Sequence, residues 1–332
     1  MKALLCKKYG PPESLVVEEV TSLHPEKDQV VISVKACGVN FPDTLIIQGK
    51  YQFKPSFPFS PGGEVAGIVK EIGEDVKHLQ VGDNVFAMPG WGGFAEELLV
   101  KANRTFKMPP NMDYAVAASL MYTYGTSYHA LKDRAQLKAG EILLVLGAAG
   151  GVGLAAVNLG KIMGATVIAA ASSDEKLALC KEYGADGLIN YSKEDLRESL
   201  KTLTGGGVDV IYDPVGGEYA EPAFRAMNWK GRYLVVGFAA VAYRSVLESI
   251  LFCFLLVTGA APLPSNTRQN GEVFGLSPSS AEGPPAPSTT CHPNSARIRE
   301  VALRFSGASD NLRRVRAPSR TPVCVNSATA AK

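Results

Sequence analysis

The sequence lacks the features that mark several protein classes. Its six cysteines include no C-x-x-C pair, so neither a redox pair nor a zinc knuckle is indicated, and reduced thiols in a cytoplasmic protein are the simpler interpretation. The start of the chain has no signal-peptide core. The longest apolar run, residues 250–257, is much shorter than the roughly 20 residues that cross a bilayer as a helix. We therefore expect a cytoplasmic protein without a membrane anchor.

A strong charge of either sign is also missing. Lys and Arg total 34 against 32 Asp and Glu, which gives a formal net charge of +2. This balance gives no reason to expect nucleic acid or an acidic membrane as a partner. A chain of 332 residues is too long for one typical core, so we expect two domains.

Two different periodicities divide the first 240 residues. Residues 1–115 contain short alternating runs such as "QVVISVKACGV" and "EVAGIVKEIG" between prolines and glycines, which predict a compact, mostly antiparallel β domain. Residues 116–240 alternate strands such as "EILLVLGA" and "VDVIYD" with helices of about ten residues, a rhythm typical of βαβ units around a parallel sheet. The predicted fold class is therefore α/β, with a β domain followed by a doubly wound domain.

The last part of the chain, residues 241–332, follows neither pattern. It holds one lysine and nine arginines, whereas residues 1–240 hold 19 lysines and five arginines. Its Pro/Ser-rich stretch cannot bury enough apolar surface to offset the entropy of ordering. We expect an atypical, partly disordered tail with a linker at residues 262–296.

A glycine-rich turn joins the first predicted strand of the second domain to its first helix. Ala148-x-Gly150-x-x-Gly153 matches the dinucleotide fingerprint with alanine in the first position. Gly150, Gly151 and Val152 would bring backbone N–H groups to a pyrophosphate, and Gly153 would allow the helix to pack closely. Small residues at a tight strand-to-helix crossing are the alternative explanation.

The next predicted strand indicates which nucleotide binds. An NAD site normally places a carboxylate at this strand end, but here the strand ends in Ser172 and Ser173, and we assign the later Asp174 as the N-cap of the following helix. The two serines and Lys176 could hold a 2′-phosphate through charge-assisted hydrogen bonds. NADPH is therefore the predicted cofactor, with solvent-facing cap residues as the alternative.

Five motifs in order resemble the zinc-free quinone oxidoreductases of the medium-chain dehydrogenase/reductase superfamily: "GVNFPDTLIIQGKY", "PFSPGGEVAGIVKEIGEDV", "VGDNVFA", "LGAAGGVG" and "INYSKEDL". The resemblance covers residues 1–239. It implies a GroES-like β-barrel carrying the substrate site, a Rossmann domain carrying NADPH, and a homodimer. In this sequence, residues 241–332 do not continue the family pattern, which brings the dimer and the complete sheet into question.

The resemblance also implies that no metal is bound. The zinc-dependent relatives use a Cys and a His-Glu pair, and the corresponding positions here hold Asn40 and Gly63-Glu64. An asparagine and a glycine cannot supply the thiolate and imidazole ligands of such a site. Hydride transfer would then need an acceptor that is already electron-poor, such as a quinone or an α,β-unsaturated carbonyl.

The same resemblance implies the remaining site residues. Asn40 and Thr126 would contact the nicotinamide, Tyr191 would lie at the adenosine ribose phosphate, and Gly237 and Phe238 would line the nicotinamide end. Each residue has a structural alternative: a turn for Asn40, a helix cap for Thr126, a core aromatic for Tyr191, and a strand end for the last two.

Tyr51 matches a tyrosine that related enoyl-thioester reductases use as a proton donor, and a phenol is a credible acid for an enolate in a dry site. Enoyl-thioester reduction with Tyr51 as the donor is therefore the alternative activity, and an aromatic lid is the alternative role of Tyr51. A nucleotide-binding chain impaired by its altered C-terminus is the alternative of another class. The nearby Asp43 is interpreted as a barrel-turn residue.

Overall fold

A computed structural model describes residues 1–237, 239 and 323–326. The predicted linker, most of the tail and Phe238 lie outside the described residues. The strands of the N-terminal half are β1 Lys2–Leu5, β2 Val16–Glu19, β3 Gln29–Val39, β4 Glu64–Ile72, β5 Asn84–Ala87, β6 Glu97–Lys101 and β7 Thr105–Lys107.

These strands form the predicted antiparallel β domain. β3 pairs with β4 and β6, β4 pairs with β5, and β5 pairs with β7, all antiparallel. β1 and β2 form a separate hairpin. The interior is filled by alternate apolar side chains of the strands, such as Val30, Ile32 and Val34 of β3, as the period-2 pattern requires.

Two short helices accompany the β domain. α1 (Phe41–Ile46) follows β3 directly, and α2 (Tyr114–Ala117) packs on β3 and β4 through alanines at the helix and strand surfaces. A helical segment then runs from Met121 to Arg134, with α3 (Thr126–Tyr128) between two π-helical turns. This segment leads from the β domain into the second domain.

The second domain is the predicted doubly wound sheet. Its strands are β8 Ile142–Val145, β9 Thr166–Ala171, β10 Gly187–Asn190, β11 Val208–Asp213 and β12 Met227–Val235, and they lie in the order β10-β9-β8-β11-β12, all parallel. Its helices are α4 Gly151–Ile162, α5 Asp174–Glu182, α6 Leu196–Thr204 and α7 Ala220–Arg225. The sheet separates two apolar clusters, one on each face.

Parallel strands bring the loops at their carboxyl ends to one edge of the sheet. The loops after β8, β9, β10, β11 and β12 therefore all open at the same edge. The α/β fold class with a GroES-like domain and a Rossmann-like sheet is confirmed. Within the described residues, no helix is long and apolar enough to cross a membrane.

One strand of the tail is described. β13 (Val323–Asn326) pairs parallel to β3 along Ala36–Val39, the last part of that strand before Asn40. The boundaries we assign to the two domains remain predictions.

Candidate functional site

Two glycines of the glycine-rich turn after β8, Gly150 and Gly153, differ in how strongly the fold requires a glycine at their position. A Cβ atom on Gly153 would lie 2.4 Å from the Gly147 carbonyl oxygen and 2.9 Å from the Ala148 Cα, so this position requires glycine for packing alone. A Cβ atom on Gly150 would meet only the Gly147 oxygen, at 3.3 Å. The fold restricts Gly150 much less than Gly153, and apart from its chain neighbours no other atom of the described residues lies within 4 Å of the built Cβ atom, so the space in front of Gly150 is open to a ligand.

Helix α4 begins at this open space. Gly150 is its N-cap and supplies no side-chain acceptor, so the N–H groups of the first turn, at Gly151, Val152 and Gly153, have no intrahelical partner. Such a terminus favours a phosphate both by its free donors and by the helix dipole. The turn therefore fits the diphosphate of a dinucleotide.

Ser127 fixes the helical segment 121–134 against this turn. Its hydroxyl donates to the Val152 carbonyl oxygen at 2.9 Å and shares a hydrogen bond with the Tyr212 hydroxyl at 2.8 Å. Ser127 is fully buried, whereas the preceding Thr126 is exposed. Thr126 therefore lies beside the start of α4 with an accessible side chain, at the junction where the first π-helical turn ends and α3 begins.

The predicted phosphate-binding side chains meet at the end of β9. Lys176 Nζ donates to Ser172 Oγ at 3.0 Å, and the Tyr191 hydroxyl hydrogen-bonds to the same serine. Tyr191 also contacts Tyr219, with ring centroids 4.2 Å apart. Burial and the neighbouring Tyr219 raise the pKa of Tyr191, although the Ser172 hydrogen bond lowers it. The phenol therefore stays a neutral donor.

Our assignment of Asp174 as the N-cap of α5 is wrong. Ser173 takes that position, and its hydroxyl accepts from the Lys176 N–H at 3.4 Å. Asp174 is the first helical residue and binds Asn190 Nδ2 at 2.6 Å and Lys193 Nζ at 2.5 Å. Hydrogen bonds to Lys193 and Asn190 lower the pKa of Asp174. The Asp174 carboxylate therefore binds residues at the end of β10 and in the loop that follows it. The hydroxyl of Ser172 is bound by Lys176 and Tyr191 instead.

Asn40 directly follows β3 and is buried beside a second buried polar residue, Glu64, at the start of β4. Asn40 Nδ2 donates to Glu64 Oε2 at 3.3 Å, and the other carboxyl oxygen accepts from the N–H groups of Met121 and Tyr122. Glu64 is 0% exposed. Burial raises its pKa to about 7, against the lowering effect of these three hydrogen bonds. Glu64 thereby connects Asn40 to the start of the helical segment that carries Thr126.

The structure corrects our interpretation of Asp43 as a barrel-turn residue. Asp43 lies in the first turn of α1 and is buried. Its carboxyl accepts from the N–H groups of Asn40 at 2.8 Å and Gly62 at 3.1 Å. Burial raises its pKa to about 6, although these backbone donors lower it. Asp43 therefore joins the chain at Asn40 to the loop that contains Gly62 and Gly63.

Tyr51 lies near the same group of side chains. Its ring packs on the apolar cluster around Ile46, Ile47 and Phe59 and stands edge-on to Phe53, with centroids 5.7 Å apart. Burial raises its pKa, and the neighbouring Asp43 adds to this effect. The structure therefore brings Tyr51 close to Asp43 and so to the Asn40 site.

Gly63 has no side chain, and a tyrosine from the helical segment fills the space. A Cβ atom on Gly63 would lie 2.6 Å from Tyr122 Oη and 3.1 Å from the Gly90 carbonyl oxygen. A histidine at this position would collide with that phenol. In the described part of the chain, no cluster of three or more His, Cys, Asp and Glu side chains is arranged to hold a metal.

The predicted contact Gly237 lies in the loop after β12, at the carboxyl edge of the parallel sheet. Gly237 follows β12, and its N–H donates to the Asp213 carbonyl oxygen at 3.4 Å. A Cβ atom there would be 3.1 Å from the Pro214 oxygen. Gly237 therefore shares the carboxyl edge with the glycine-rich turn, whereas Phe238 lies outside the described residues.

Sequence reasoning missed Glu64 as a hydrogen-bonding partner, and it missed Tyr122 altogether. The signal for Glu64 is a carboxylate at the start of a strand whose next residues, "VAG", are all buried. Tyr122 carries no local signal, because its closeness to Gly63 joins residues that are far apart in the chain.

Comparison with known proteins agrees with this architecture. Residues 26–110 match the alcohol dehydrogenase GroES-like domain, and residues 151–260 match the zinc-binding dehydrogenase model. The second match extends past residue 239, at which the resemblance carried by the five sequence motifs ends. A bovine protein named quinone oxidoreductase-like protein 2 is 40% identical over 84% of this chain and 80% of its own length.

Solved structures show the same similarity. Escherichia coli quinone oxidoreductase in complex with NADPH superposes with a TM-score of 0.69 at 32% identity, covering 75% of this chain and 78% of that one. The CurK enoyl reductase superposes with a TM-score of 0.67 at 28% identity, covering 75% and 77%. The fold, the arrangement of the site and these similarities together show that the chain belongs to the quinone oxidoreductase-like enzymes of the medium-chain dehydrogenase/reductase superfamily.

Proposed function

We propose that the protein is a zinc-independent, NADPH-dependent reductase of quinones or other conjugated carbonyl compounds. The observation that carries the proposal is the meeting of Ser172, Lys176 and Tyr191 at the end of β9. Two hydroxyls and an ammonium group suit the 2′-phosphate that distinguishes NADPH from NADH. The E. coli relative, whose structure contains NADPH, supports the same choice.

The remaining cofactor contacts follow from the shared edge of the sheet. The open face of Gly150 and the free N–H groups at the start of α4 would hold the diphosphate. Thr126, fixed by the neighbouring Ser127, and Asn40, held by Glu64, would contact the nicotinamide half. When bound, NADPH supplies a hydride from its nicotinamide ring.

The donor set around Asn40 does not suit a catalytic zinc. Asn40 offers an amide whose nitrogen is bound to Glu64, and the Tyr122 phenol occupies the space beside Gly63. Structural and catalytic zinc sites use thiolate, imidazole or carboxylate ligands in a defined geometry. An acceptor that conjugation has already made electrophilic does not need a metal to polarise it, because hydrogen bonds can stabilise the developing oxyanion.

The decisive experiment measures NADPH oxidation by the full chain with a series of quinones and with α,β-unsaturated ketones. NADPH binding is measured separately by nucleotide fluorescence. Turnover with quinones, with enones or with both is the expected result. Binding without turnover would instead favour a nucleotide-binding protein without catalysis, and the absence of binding would contradict the cofactor assignment.

Enoyl-thioester reduction remains the second candidate, favoured by the position of Tyr51 near Asp43 and by the similarity to the CurK enoyl reductase. The two activities make different demands on Tyr51. A thioester enolate needs a proton on carbon, so Tyr51→Phe should abolish that reaction and leave quinone reduction close to its original rate.

Two further proposals concern the state of the protein. We expect it to act in the cytoplasm on small molecules, without a nucleic acid or membrane partner. The homodimer that the family resemblance implies is the proposed assembly, although residues 241–332 depart from the family pattern, and the molar mass in solution, measured by light scattering, would decide between monomer and dimer.

A further inference from the structure

We propose that Tyr122 is a catalytic residue that donates a hydrogen bond to the carbonyl oxygen of the substrate. This inference rests on the proposed reductase function. It adds to the site a phenol that occupies the space left by the missing side chain of Gly63.

The first argument is the position of the hydroxyl. Tyr122 Oη lies beside Gly63 and the Gly90 carbonyl, with only 2.6 Å between it and a Cβ atom built on Gly63. The resemblance implies that zinc-dependent relatives of the family carry a metal ligand at the position of Gly63. In this chain the Tyr122 hydroxyl instead lies where a side chain at position 63 would begin.

The second argument is the backbone that carries the phenol. Glu64 accepts from the Met121 and Tyr122 N–H groups with one carboxyl oxygen and from Asn40 Nδ2 with the other. Tyr122 also precedes Thr126 by four residues on one helical segment, so both side chains lie on about the same face. The backbone of Tyr122 is thus joined through Glu64 to Asn40, and its side chain leaves the helical segment on about the same face as that of Thr126.

The third argument is the charge state. Burial raises the pKa of Tyr122 well above its ordinary value, and the acidic groups around it, Tyr51, Asp43, Glu64 and Cys37, raise it further. A phenol that stays protonated is a hydrogen-bond donor at any working pH. The residue is also only partly buried, so part of its surface is accessible.

The reaction at this position balances without a further reactant. The quinone accepts a hydride from NADPH and a proton from water, which yields the hydroquinone and NADP⁺. Tyr122 keeps its own proton and stabilises the oxygen on which negative charge develops as the hydride arrives.

The test compares the full chain with Tyr122→Phe and Tyr124→Phe. Tyr124 lies on the same helical segment, but its hydroxyl is buried and its ring packs against the apolar cluster of the second domain. Tyr122→Phe should lower kcat for quinone reduction about 10- to 100-fold, with an unchanged Kd for NADPH and an unchanged Tm. Tyr124→Phe should leave kcat within about twofold of the original value.

A second variant displaces the phenol without removing it. Gly63→Ala would push Tyr122 away from the site, so its kcat should fall as far as that of Tyr122→Phe. The double variant should lose no more than either single one, because both act through the same hydroxyl. Independent, multiplicative losses would contradict the inference, and so would a kcat of Tyr122→Phe within twofold of the original.

If the original chain reduces no quinone and no enone, the proposed function fails, and the role of Tyr122 is then decided by binding. A hydroquinone titrated against the NADP⁺-loaded chain should bind several-fold more weakly to Tyr122→Phe than to Tyr124→Phe. Equal dissociation constants would overturn the inference about Tyr122.

Discussion

Asn40 Nδ2 donates a hydrogen bond to Glu64 Oε2, and both side chains are buried where β3 ends and β4 begins. The buried carboxyl accepts from three donors in two parts of the chain, yet burial raises its pKa to about 7. A group that the folded state holds as the neutral acid makes stability depend on pH.

The first prediction concerns this pH dependence. The folded protein binds the Glu64 proton more tightly than the unfolded chain, so its stabilising contribution is complete below pH 4.5 and is lost as the pH rises towards 7. Between pH 4.5 and 7 the unfolding free energy of the original chain should fall by about 3 kcal/mol through Glu64. Glu64→Gln, which cannot titrate, should lack this fall. Urea unfolding at pH 4.5, 6 and 7.5 measures the unfolding free energy of both proteins. Glu13→Gln, which removes an exposed carboxyl, is the control. Parallel profiles for the original chain and Glu64→Gln would contradict the prediction.

The second prediction distinguishes the two glycines of the turn after β8. Gly150→Ala meets one backbone oxygen at 3.3 Å, which a small shift relieves, so it should lower Tm much less than Gly153→Ala while its methyl group weakens NADPH binding. Gly153→Ala would collide with backbone at 2.4 and 2.9 Å, so it should lower the unfolding free energy by about 2 kcal/mol or more. Calorimetry and NADPH titration on both variants check this. Loss of stability in Gly150→Ala without loss of affinity would reverse the assignment.

The third prediction concerns cofactor preference. Lys176→Ala removes the ammonium that lies beside Ser172, so the affinity for NADPH should fall about 10- to 100-fold while that for NADH changes little. Lys181→Ala, on the exposed side of the same helix, is the matched control. Dissociation constants for both nucleotides, measured at one salt concentration, give the result. An equal loss for NADPH and NADH would remove Lys176 from the 2′-phosphate site.

The fourth prediction tests Asp43 as a structural link. Asp43→Ala leaves the buried N–H groups of Asn40 and Gly62 without their acceptor, which should cost about 2–3 kcal/mol of unfolding free energy. Asp28→Ala, which breaks only an exposed ion pair with Lys101, should cost less than about 1 kcal/mol. Urea unfolding at pH 7 compares the two. Similar costs would show that Asp43 does not hold the Gly62 loop.

Much of the fold follows from short-range patterns. The alternating run at 29–39 became β3, and the run at 208–213 became β11, because side-chain periodicity is a property of neighbouring residues. The glycine-rich turn and the serines after β9 were also found in this way. The N-cap of α5 was misassigned by one residue, since serine and aspartate compete for the same role and the choice depended on Asn190 and Lys193, which come from another loop.

The sequence by itself determined the order of the domains, the turn that would hold the diphosphate, the serines and lysine suited to a 2′-phosphate, and the absence of zinc ligands at Asn40 and Gly63. Only the tertiary structure decided that Glu64 holds Asn40 to the start of the 121–134 segment and that the Tyr122 phenol occupies the space beside Gly63. The physical reason is the sequence separation over which each kind of interaction acts. Periodicity and turn chemistry act over a few residues, whereas Glu64 meets Tyr122 across 58 positions of the chain, through strand pairing and burial that no local pattern records.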